Sequence, residues 1–339
     1  MFRNLLLTLL LFCSTLSFSQ IGGKYTYQFL NLVTSPRQAA LGGKTVTIHD
    51  YDVNQAIFNP ATINSEMDNH LSVNYGSYFG EVTYGTAAYA YTYDRHVQTF
   101  HMGVNYVNYG TFEGRDESGF ITGDFSGSEI AVSFGYAYNI PYTDIYLGAN
   151  AKLISSTLES YNSFGAAVDF GALYKDEDND INIGLVVRNV GTQITTYAGS
   201  REKLPMEVIV GISQEVENVP IRWHLTLENL QQWDIAFSNP NRAEENIDGG
   251  RTEEKVSFVN NALRHVIAGI ELFPGKSFNI RLGYNFRRGQ ELNIPDQRSF
   301  SGISAGLGLR FNNLRFDYSY SRYTLAANTS LFGLMINLQ

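Results

Sequence analysis

The residues that could do acid–base or nucleophilic chemistry are few and scattered along this chain. Six histidines occur without His-x-x-x-His or carboxylate spacing, so they predict no zinc site. A serine–histidine hydrolase would need Ser133 or Ser304 close to an inward-facing histidine, and no Gly-x-Ser-x-Gly motif supports that chemistry. We therefore predict a protein that is not an enzyme and has no catalytic residue.

Other short motifs are explained more simply by turns than by ligands. Gly22-Gly23 and Gly42-Gly43 lack the Lys-Ser or Lys-Thr that completes a phosphate loop. The acidic stretch 175–180 lacks the glycine and terminal glutamate of a calcium loop. A net charge of −9 argues against a nucleic-acid partner. We expect neither a metal nor a cofactor.

The first residues predict export from the cytoplasm. Arg3 precedes a short apolar run from Leu5 to Phe12, which is typical of a signal peptide over residues 1–19, with cleavage near Ser19 or Gln20. The chain's only cysteine lies in this segment, so the mature protein has no disulfide. No stretch of about 18 apolar residues occurs that would form a transmembrane helix.

From about residue 70, apolar and polar residues alternate with a period of two, as in strands with one apolar face. Repeated over residues 70–339, this pattern predicts an all-β fold, a 14-stranded antiparallel transmembrane β-barrel. A soluble β-sandwich is the alternative. The predicted strands span 70–79, 82–93, 98–107, 128–139, 144–155, 163–174, 181–190, 205–217, 221–230, 264–273, 277–287, 300–311, 314–323 and 330–338.

The lengths of the connections support the barrel. Short turns follow the even-numbered strands, whereas the long connections follow odd-numbered strands. With both chain ends in the periplasm, the long connections face outward. They are residues 108–127, 191–204, 231–263 and 288–299.

Residues 20–69 do not alternate, and we expect them to enter the barrel as a plug. Ser35 and Pro36 suit the start of a short helix and Gly42 its end, while Asp52 suits the cap of another turn. Arg37 should pair with an acidic residue of the barrel wall. The inward-facing positions carry charges of both signs, which favours a packed ion-pair network over a polar conduit.

The longest connection, 231–263, offers the strongest candidate for a partner-binding surface. Its aromatic and acidic residues could anchor and steer a partner, but a solvated loop or a membrane-edge role for Trp233 are alternatives. The candidate residues are Trp233, Asp234, Phe237, Pro240, Glu244 and Glu245.

Several motifs resemble one known family. The stretches 29–32, 35–43 and 58–61, read as Phe-Leu-Asn-Leu, Ser-Pro-Arg-Gln-Ala-Ala-Leu-Gly-Gly and Phe-Asn-Pro-Ala, resemble the N-terminal pattern of the PorV/PorQ family and of the wider FadL-like barrels with an N-terminal hatch. The stretches 155–161, 188–191 and 230–234 resemble its PorQ branch. The motif residues that this resemblance assigns to the plug are Asn31, Arg37, Gly42, Gly43, Asn59 and Pro60.

The resemblance implies a role in the type IX secretion system of Bacteroidetes-type Gram-negative bacteria. A PorQ-like barrel would sit in the outer membrane, in contact with its lipid, and hold a PorZ-like surface protein beside the PorU sortase and PorV. No catalytic residue is carried over, because the barrel of that family is not the enzyme. A FadL-like channel for hydrophobic small molecules is the alternative function.

Overall fold

Fourteen antiparallel strands close into one barrel, in which the first strand pairs with the last. This computed structural model describes residues 25–78, 80–94, 98–236, 244–245, 251–252, 256–292, 300–324 and 327–339. The predicted signal peptide 1–19 lies outside these residues. The predicted fold class, a 14-stranded antiparallel barrel, is confirmed.

The barrel strands follow one another around the wall in chain order. They are β1 (His70–Ser77), β2 (Thr83–Asp94), β3 (Gln98–Arg115), β4 (Ile121–Asn139), β5 (Ile145–Leu158), β6 (Tyr161–Asp176), β7 (Ile181–Thr195), β8 (Glu207–Glu215), β9 (Ile221–Leu227), β12 (Val266–Leu272), β13 (Phe278–Asn285), β14 (Ile303–Phe311), β15 (Leu314–Arg322) and β16 (Asn328–Asn337). Two short strands, β10 (Glu244–Glu245) and β11 (Arg251–Thr252), form a separate hairpin between β9 and β12.

The alternation in sequence becomes an inner and an outer face of each strand. In β4, Phe134 is 53% exposed on the outer face, whereas the preceding Ser133 is 5% exposed on the inner face. The same pattern of exposed and buried residues runs through β6 and β15. Successive side chains of a strand point to opposite sides, so the apolar set faces outward and the small and polar set faces the barrel interior.

The prediction that residues 108–127 form a long outer loop is wrong. β3 continues to Arg115 and β4 begins at Ile121, so only a short turn joins them. Phe112 and Phe125 stack across this extension with ring centroids 5.4 Å apart. Register shifts after Asn108 and after Gly114 break the alternation, which is why the sequence pattern did not reveal these strand ends.

Three α-helices and four 3-10 turns complete the described elements. The α-helices are α1 (Pro36–Ala40), α2 (Phe258–Arg264) and α3 (Phe286–Glu291). The 3-10 turns are Gln28–Asn31, Gln55–Ile57, Pro60–Thr62 and Ser65–Met67. Across the described part of the chain, no helix has both the length and the apolar character needed to cross a membrane.

The predicted ends of α1 are partly correct. Pro36 occupies its first turn and Gly42, with φ of 97°, follows its end. Ser35 occupies the predicted N-cap position, but its side chain makes no capping hydrogen bond. At the predicted second turn, Asp52 accepts the backbone N–H of Asn54 at 3.1 Å, just before the 3-10 turn that begins at Gln55.

Candidate functional site

Three pairs of glycines face each other across neighbouring strands of the inner wall. A Cβ at Gly148 would lie 2.3 Å from the carbonyl carbon of Pro60, and one at Gly184 would lie 2.3 Å from the oxygen of Val46. Such contacts are too short for any other residue, so the N-terminal segment lies directly against the barrel backbone. The pairs are Gly148–Gly171, Gly184–Gly211 and Gly269–Gly283.

The Asn-Pro step of the N-terminal segment is held by its own amide. The Asn59 side chain accepts the backbone N–H of Ala61 at 2.9 Å and donates to the Val46 carbonyl at 2.6 Å. A Cβ at Gly171 would lie 2.1 Å from the Asn59 side-chain oxygen. The asparagine therefore joins two parts of the segment at the point where both meet the wall.

Gly42 and Gly43 lie against the opposite wall. A Cβ at Gly283 would lie 2.1 Å from the Gly42 nitrogen, and one at Gly43 would lie 2.8 Å from Cδ1 of Ile267. Asn31, the remaining uncharged residue of the predicted motif, accepts a hydrogen bond of 3.0 Å from the Asn189 amide. All of these motif residues therefore contact the inner side of the barrel.

Arg37 is the centre of a buried ion cluster. Its guanidinium lies 2.7 Å from a carboxylate oxygen of Asp50 and 3.0 Å from one of Glu271 in β12, which is the pairing predicted from the sequence. Burial by itself would lower the pKa of Arg37, but the charges of Asp50 and Glu271 outweigh it and raise that pKa. The arginine stays charged and ties the segment to the wall.

The cluster continues around the wall through alternating charges. Arg281 bonds Glu271 at 2.8 Å and Asp317 at 2.6 Å. Asp317 in turn pairs with Arg315 at 2.7 Å. Each carboxylate thus pairs with at least two arginines, so removal of one arginine leaves a buried carboxylate with less compensating charge.

A second cluster lies around a bulge in β7. Lys44 pairs with Glu207 at 2.6 Å, and Lys152 pairs with Asp169 at 2.6 Å. At the bulge, Arg188 and Asn189 both turn inward, and Asn189 has a φ of 56°. Together the two clusters fit the predicted packed network of mixed charge.

A recess of about 930 Å³ opens at the end of the barrel that carries the longer connections. On one side, Tyr78 packs edge-on against Tyr323 with centroids 5.3 Å apart, and Arg288 lies over the Tyr323 ring. On the other side, Lys44 lies 4.0 Å from Glu228. Burial raises the pKa of the Glu228 carboxyl despite the nearby Lys44. The recess is therefore polar and aromatic rather than uniformly apolar.

Trp233 forms an apolar surface beside this recess. It is half-exposed and packs against Phe258, with centroids 4.9 Å apart, and against His265, at 5.4 Å. Phe258 and Val259 of α2 are 72% and 64% exposed. We call these three apolar residues, Trp233, Phe258 and Val259, the Trp233 patch. The His265 ring contacts the carbonyls of Glu228 and Trp233, which holds the patch to the barrel rim.

The other predicted partner-binding residues are only partly described. Asp234 is exposed next to Trp233. Phe237 and Pro240 lie outside the described residues, while Glu244 and Glu245 form β10, opposite Thr252 and Arg251. The sequence analysis missed Phe258 and Val259 as site residues. The sequence feature that could have indicated this helix is Ser257, a residue suited to a helix cap, whose hydroxyl accepts the backbone N–H of Asn260 at 3.3 Å.

The candidate serines have different surroundings from those of a hydrolase. Ser133 donates to the Gly103 carbonyl at 3.3 Å, and the buried Ser304 hydroxyl has no hydrogen-bond partner in the described part of the chain. His101 contacts the Val53 carbonyl at 3.0 Å. Among the described residues, no group of three possible ligands could hold a metal ion.

The comparisons with known proteins concern the fold. No family model and no curated protein sequence matches the chain. The toluene transporter TbuX of Ralstonia pickettii aligns over 91% of this chain and 97% of its own, with 14% identity and a TM-score of 0.53. A FadL homologue of Pseudomonas aeruginosa aligns over 90% and 98%, with 10% identity and a TM-score of 0.51.

The chain has the FadL-like barrel fold. Large apolar residues are exposed on the outer face of this FadL-like barrel, and a soluble protein rarely exposes so large an apolar surface. Representative residues are Val73, Phe100, Phe134, Phe170, Leu185, Leu282 and Phe332. The lipid of a Gram-negative outer membrane covers such a band, and the outer-membrane part of the predicted localisation is confirmed.

Proposed function

We propose that this protein is a non-enzymatic outer-membrane component of the type IX secretion system that anchors a PorZ-like surface protein. The observation that carries the proposal is the filled barrel interior. The N-terminal segment contacts the wall at the glycine pairs, and two ion clusters lock it there. Such an interior suits a rigid scaffold better than a conduit.

The energetics favour a fixed segment. Withdrawing it would separate Arg37 from Glu271 and Lys44 from Glu207, leaving each buried carboxylate with fewer cations around it. Breaking one such pair typically costs about 3–5 kcal/mol, and here several would break together. The segment would therefore remain in place as a plug while the outer surface does the binding.

The outer surface offers an anchor of the right kind. The Trp233 patch is apolar, rigidly attached through His265 and adjacent to the recess. Aromatic residues in such positions supply much of the binding energy of protein interfaces. The motif resemblance suggests that the partner is PorZ-like and that the PorU sortase and PorV belong to the same assembly.

Pull-down from detergent-solubilised outer membranes, with identification of the captured proteins, tests the proposal. We expect Trp233→Ala and Phe258→Ala to leave the barrel folded but to release the surface partner. Deletion of 240–254 should have the same effect. Tyr142→Ala is the matched control, because Tyr142 is a fully exposed aromatic at the opposite end of the barrel. Retention of the partner by every variant would contradict anchoring at this surface.

The recess gives a second candidate, a channel for hydrophobic small molecules. TbuX shares the fold and is a toluene transporter, and the recess has aromatic residues on one wall. Reconstituted into vesicles whose outer leaflet is lipopolysaccharide, which slows the passage of hydrophobic solutes, a channel would accelerate toluene entry over protein-free vesicles. A scaffold would leave that rate unchanged, so this assay separates the two functions without requiring the partner.

A further inference from the structure

A cavity of about 340 Å³ lies at the opposite end of the barrel, where the short turns and the C-terminal strand are. It is bounded by Tyr51 of the N-terminal segment, His70 at the start of β1 and Asn337 at the end of β16. Arg310 and Arg315, on either side of the β14–β15 turn, complete its charged lining. The usual orientation of such barrels places this cavity at the periplasmic face.

Arg310 and Arg315 are direct cross-strand partners. Like charges at such positions are destabilising. Both guanidinium groups also lie near the Tyr51 ring, at 5.3 Å and 5.4 Å from its centroid. The strand register and the tyrosine therefore place both arginines beside the same ring at the edge of the cavity.

The two arginines differ in their partners. Arg315 is buried and forms a two-pronged contact with Asp317, at 2.7 Å and 3.2 Å. Arg310 is exposed, and no carboxylate of the described residues lies within 4.0 Å of its guanidinium. The charge of Arg310 is therefore available to a ligand.

Two neutral donors line the same cavity. The Tyr51 hydroxyl oxygen accepts a hydrogen bond from Arg315, and its own O–H has no acceptor among the described residues. The Asn337 side-chain oxygen accepts the Gln339 backbone N–H at 2.9 Å, whereas its NH₂ group has no partner within the described residues. A guanidinium, a hydroxyl and an amide NH₂ form a donor set suited to an oxyanion.

We propose that this cavity is a binding site for an oxyanion, a carboxylate or phosphate group presented from the periplasm. The anion accepts hydrogen bonds from Arg310 and Asn337 and relieves the repulsion between the two arginines. This inference is independent of the partner at the outer surface. The same oxyanion chemistry occurs in free phosphate and in the acidic side chains of a peptide.

Thermal unfolding of the full-length protein in detergent tests the site. At equal ionic strength, sodium phosphate should raise the melting temperature above that in sodium chloride, since a ligand that binds the folded state stabilises it. Arg310→Gln should show a smaller rise, because only the general stabilising effect of phosphate remains. Arg201→Gln is the control, because Arg201 is exposed in an outer connection, and it should keep the rise.

A second variant distinguishes loss of the site from loss of the fold. Arg310→Glu places a carboxylate opposite Arg315, so it should melt at a higher temperature in chloride than Arg310→Gln. Its melting temperature should rise in phosphate no more than that of Arg310→Gln. An equal phosphate response in wild type and Arg310→Gln would overturn the proposal. So would a lower melting temperature for Arg310→Glu than for Arg310→Gln.

Calorimetric titration identifies the source of the anion. Inorganic phosphate and the peptide acetyl-Asp-Glu-amide are titrated separately into the wild-type protein and into Arg310→Gln. Tighter binding of the peptide indicates a protein partner, tighter binding of phosphate indicates a phosphoryl ligand, and either should weaken about tenfold in Arg310→Gln. Binding of neither probe to the wild type would refute the site.

Discussion

Arg37 and Glu271 are 234 positions apart in the sequence, and their side chains meet at 3.0 Å inside the barrel. The contact joins α1, a helix of only five residues, to β12, a strand that lies much later in the chain. A helix this short has little stability of its own. The position of α1 therefore depends on the wall, and the charge balance of the wall depends on α1.

Replacing Arg37 by methionine should destabilise the protein strongly. The change leaves the partly buried Asp50 and the buried Glu271 with one cation fewer, and breaking a buried pair typically costs about 3–5 kcal/mol. Thermal unfolding in detergent would measure this as a lower melting temperature. Arg201→Met, at an exposed outer position, is the control and should unfold like the wild type. A similar melting temperature for the two variants would show that the cluster contributes little.

Adding a single methyl group at Gly148 should displace the N-terminal segment. In Gly148→Ala the new Cβ would lie 2.3 Å from the Pro60 backbone, so the segment must shift. Overpacking of this kind typically costs about 1–3 kcal/mol. Limited proteolysis of the purified protein should then cut within residues 25–69 faster than in the wild type.

The neighbouring residue supplies the control for this experiment. Ala149 is exposed on the outer face of β5, so Ala149→Val adds more volume without meeting the segment. It should be cut at the wild-type rate. Equal acceleration in both variants would mean that the effect comes from the strand and not from contact with Pro60.

The barrel could be predicted from the sequence because its physical cause is local. Alternation in β4 and β6 reports directly which side chains face lipid, and the short turns fix the antiparallel order. The prediction failed where that alternation stops. At 108–127 the register shifts hide the strand ends, and at 258–264 a helix follows a cap that is weak without its tertiary contacts.

The candidate sites were harder to predict because they depend on long-range register. Arg37 could be expected to pair with an acidic residue, but no local sequence feature identifies Glu271 as that residue. Similarly, Arg310 and Arg315 become opposed only through the β14–β15 pairing, and Tyr51 reaches them from the N-terminal segment. The glycine pairs could not be predicted for the same reason, since their contacts depend on how the N-terminal segment lies inside the barrel.

The stability of the protein should fall in mild acid because of His49. Burial, followed by the charge of Lys175, lowers the His49 pKa from 6.5 to about 4. Its stabilising contribution is therefore complete above pH 6.5 and is lost as the pH falls towards 4, because the unfolded chain takes up a proton that the folded chain does not. The loss should be on the order of 3 kcal/mol.

Comparison of the wild type with His49→Gln would isolate this contribution. Denaturant unfolding from about pH 7.5 to about pH 4.5 should show a steeper loss of stability in the wild type. Other groups titrate in both proteins and cancel in the difference. Parallel pH curves would show that His49 does not carry this dependence.

Asn189, at the β7 bulge, combines a left-handed backbone with a side chain that makes several hydrogen bonds. Its φ of 56° is favourable for glycine and unfavourable for alanine. Its side chain accepts from Lys152 at 3.0 Å and donates to Asn31 and the Pro205 carbonyl. Loss of these hydrogen bonds should destabilise any substitution, while the backbone should decide how two small substitutions rank.

We therefore expect the stability order wild type, then Asn189→Gly, then Asn189→Ala. Both variants lose the same side-chain hydrogen bonds, each worth about 0.5–1.5 kcal/mol. Only alanine adds the left-handed backbone penalty, about 1 kcal/mol. Denaturant unfolding of the three proteins gives the order directly. Suppose instead that Asn189→Ala were as stable as Asn189→Gly, or more stable. The backbone at 189 would then have to relax from the left-handed region, and the bulge would not be what directs Arg188 and residue 189 into the barrel together.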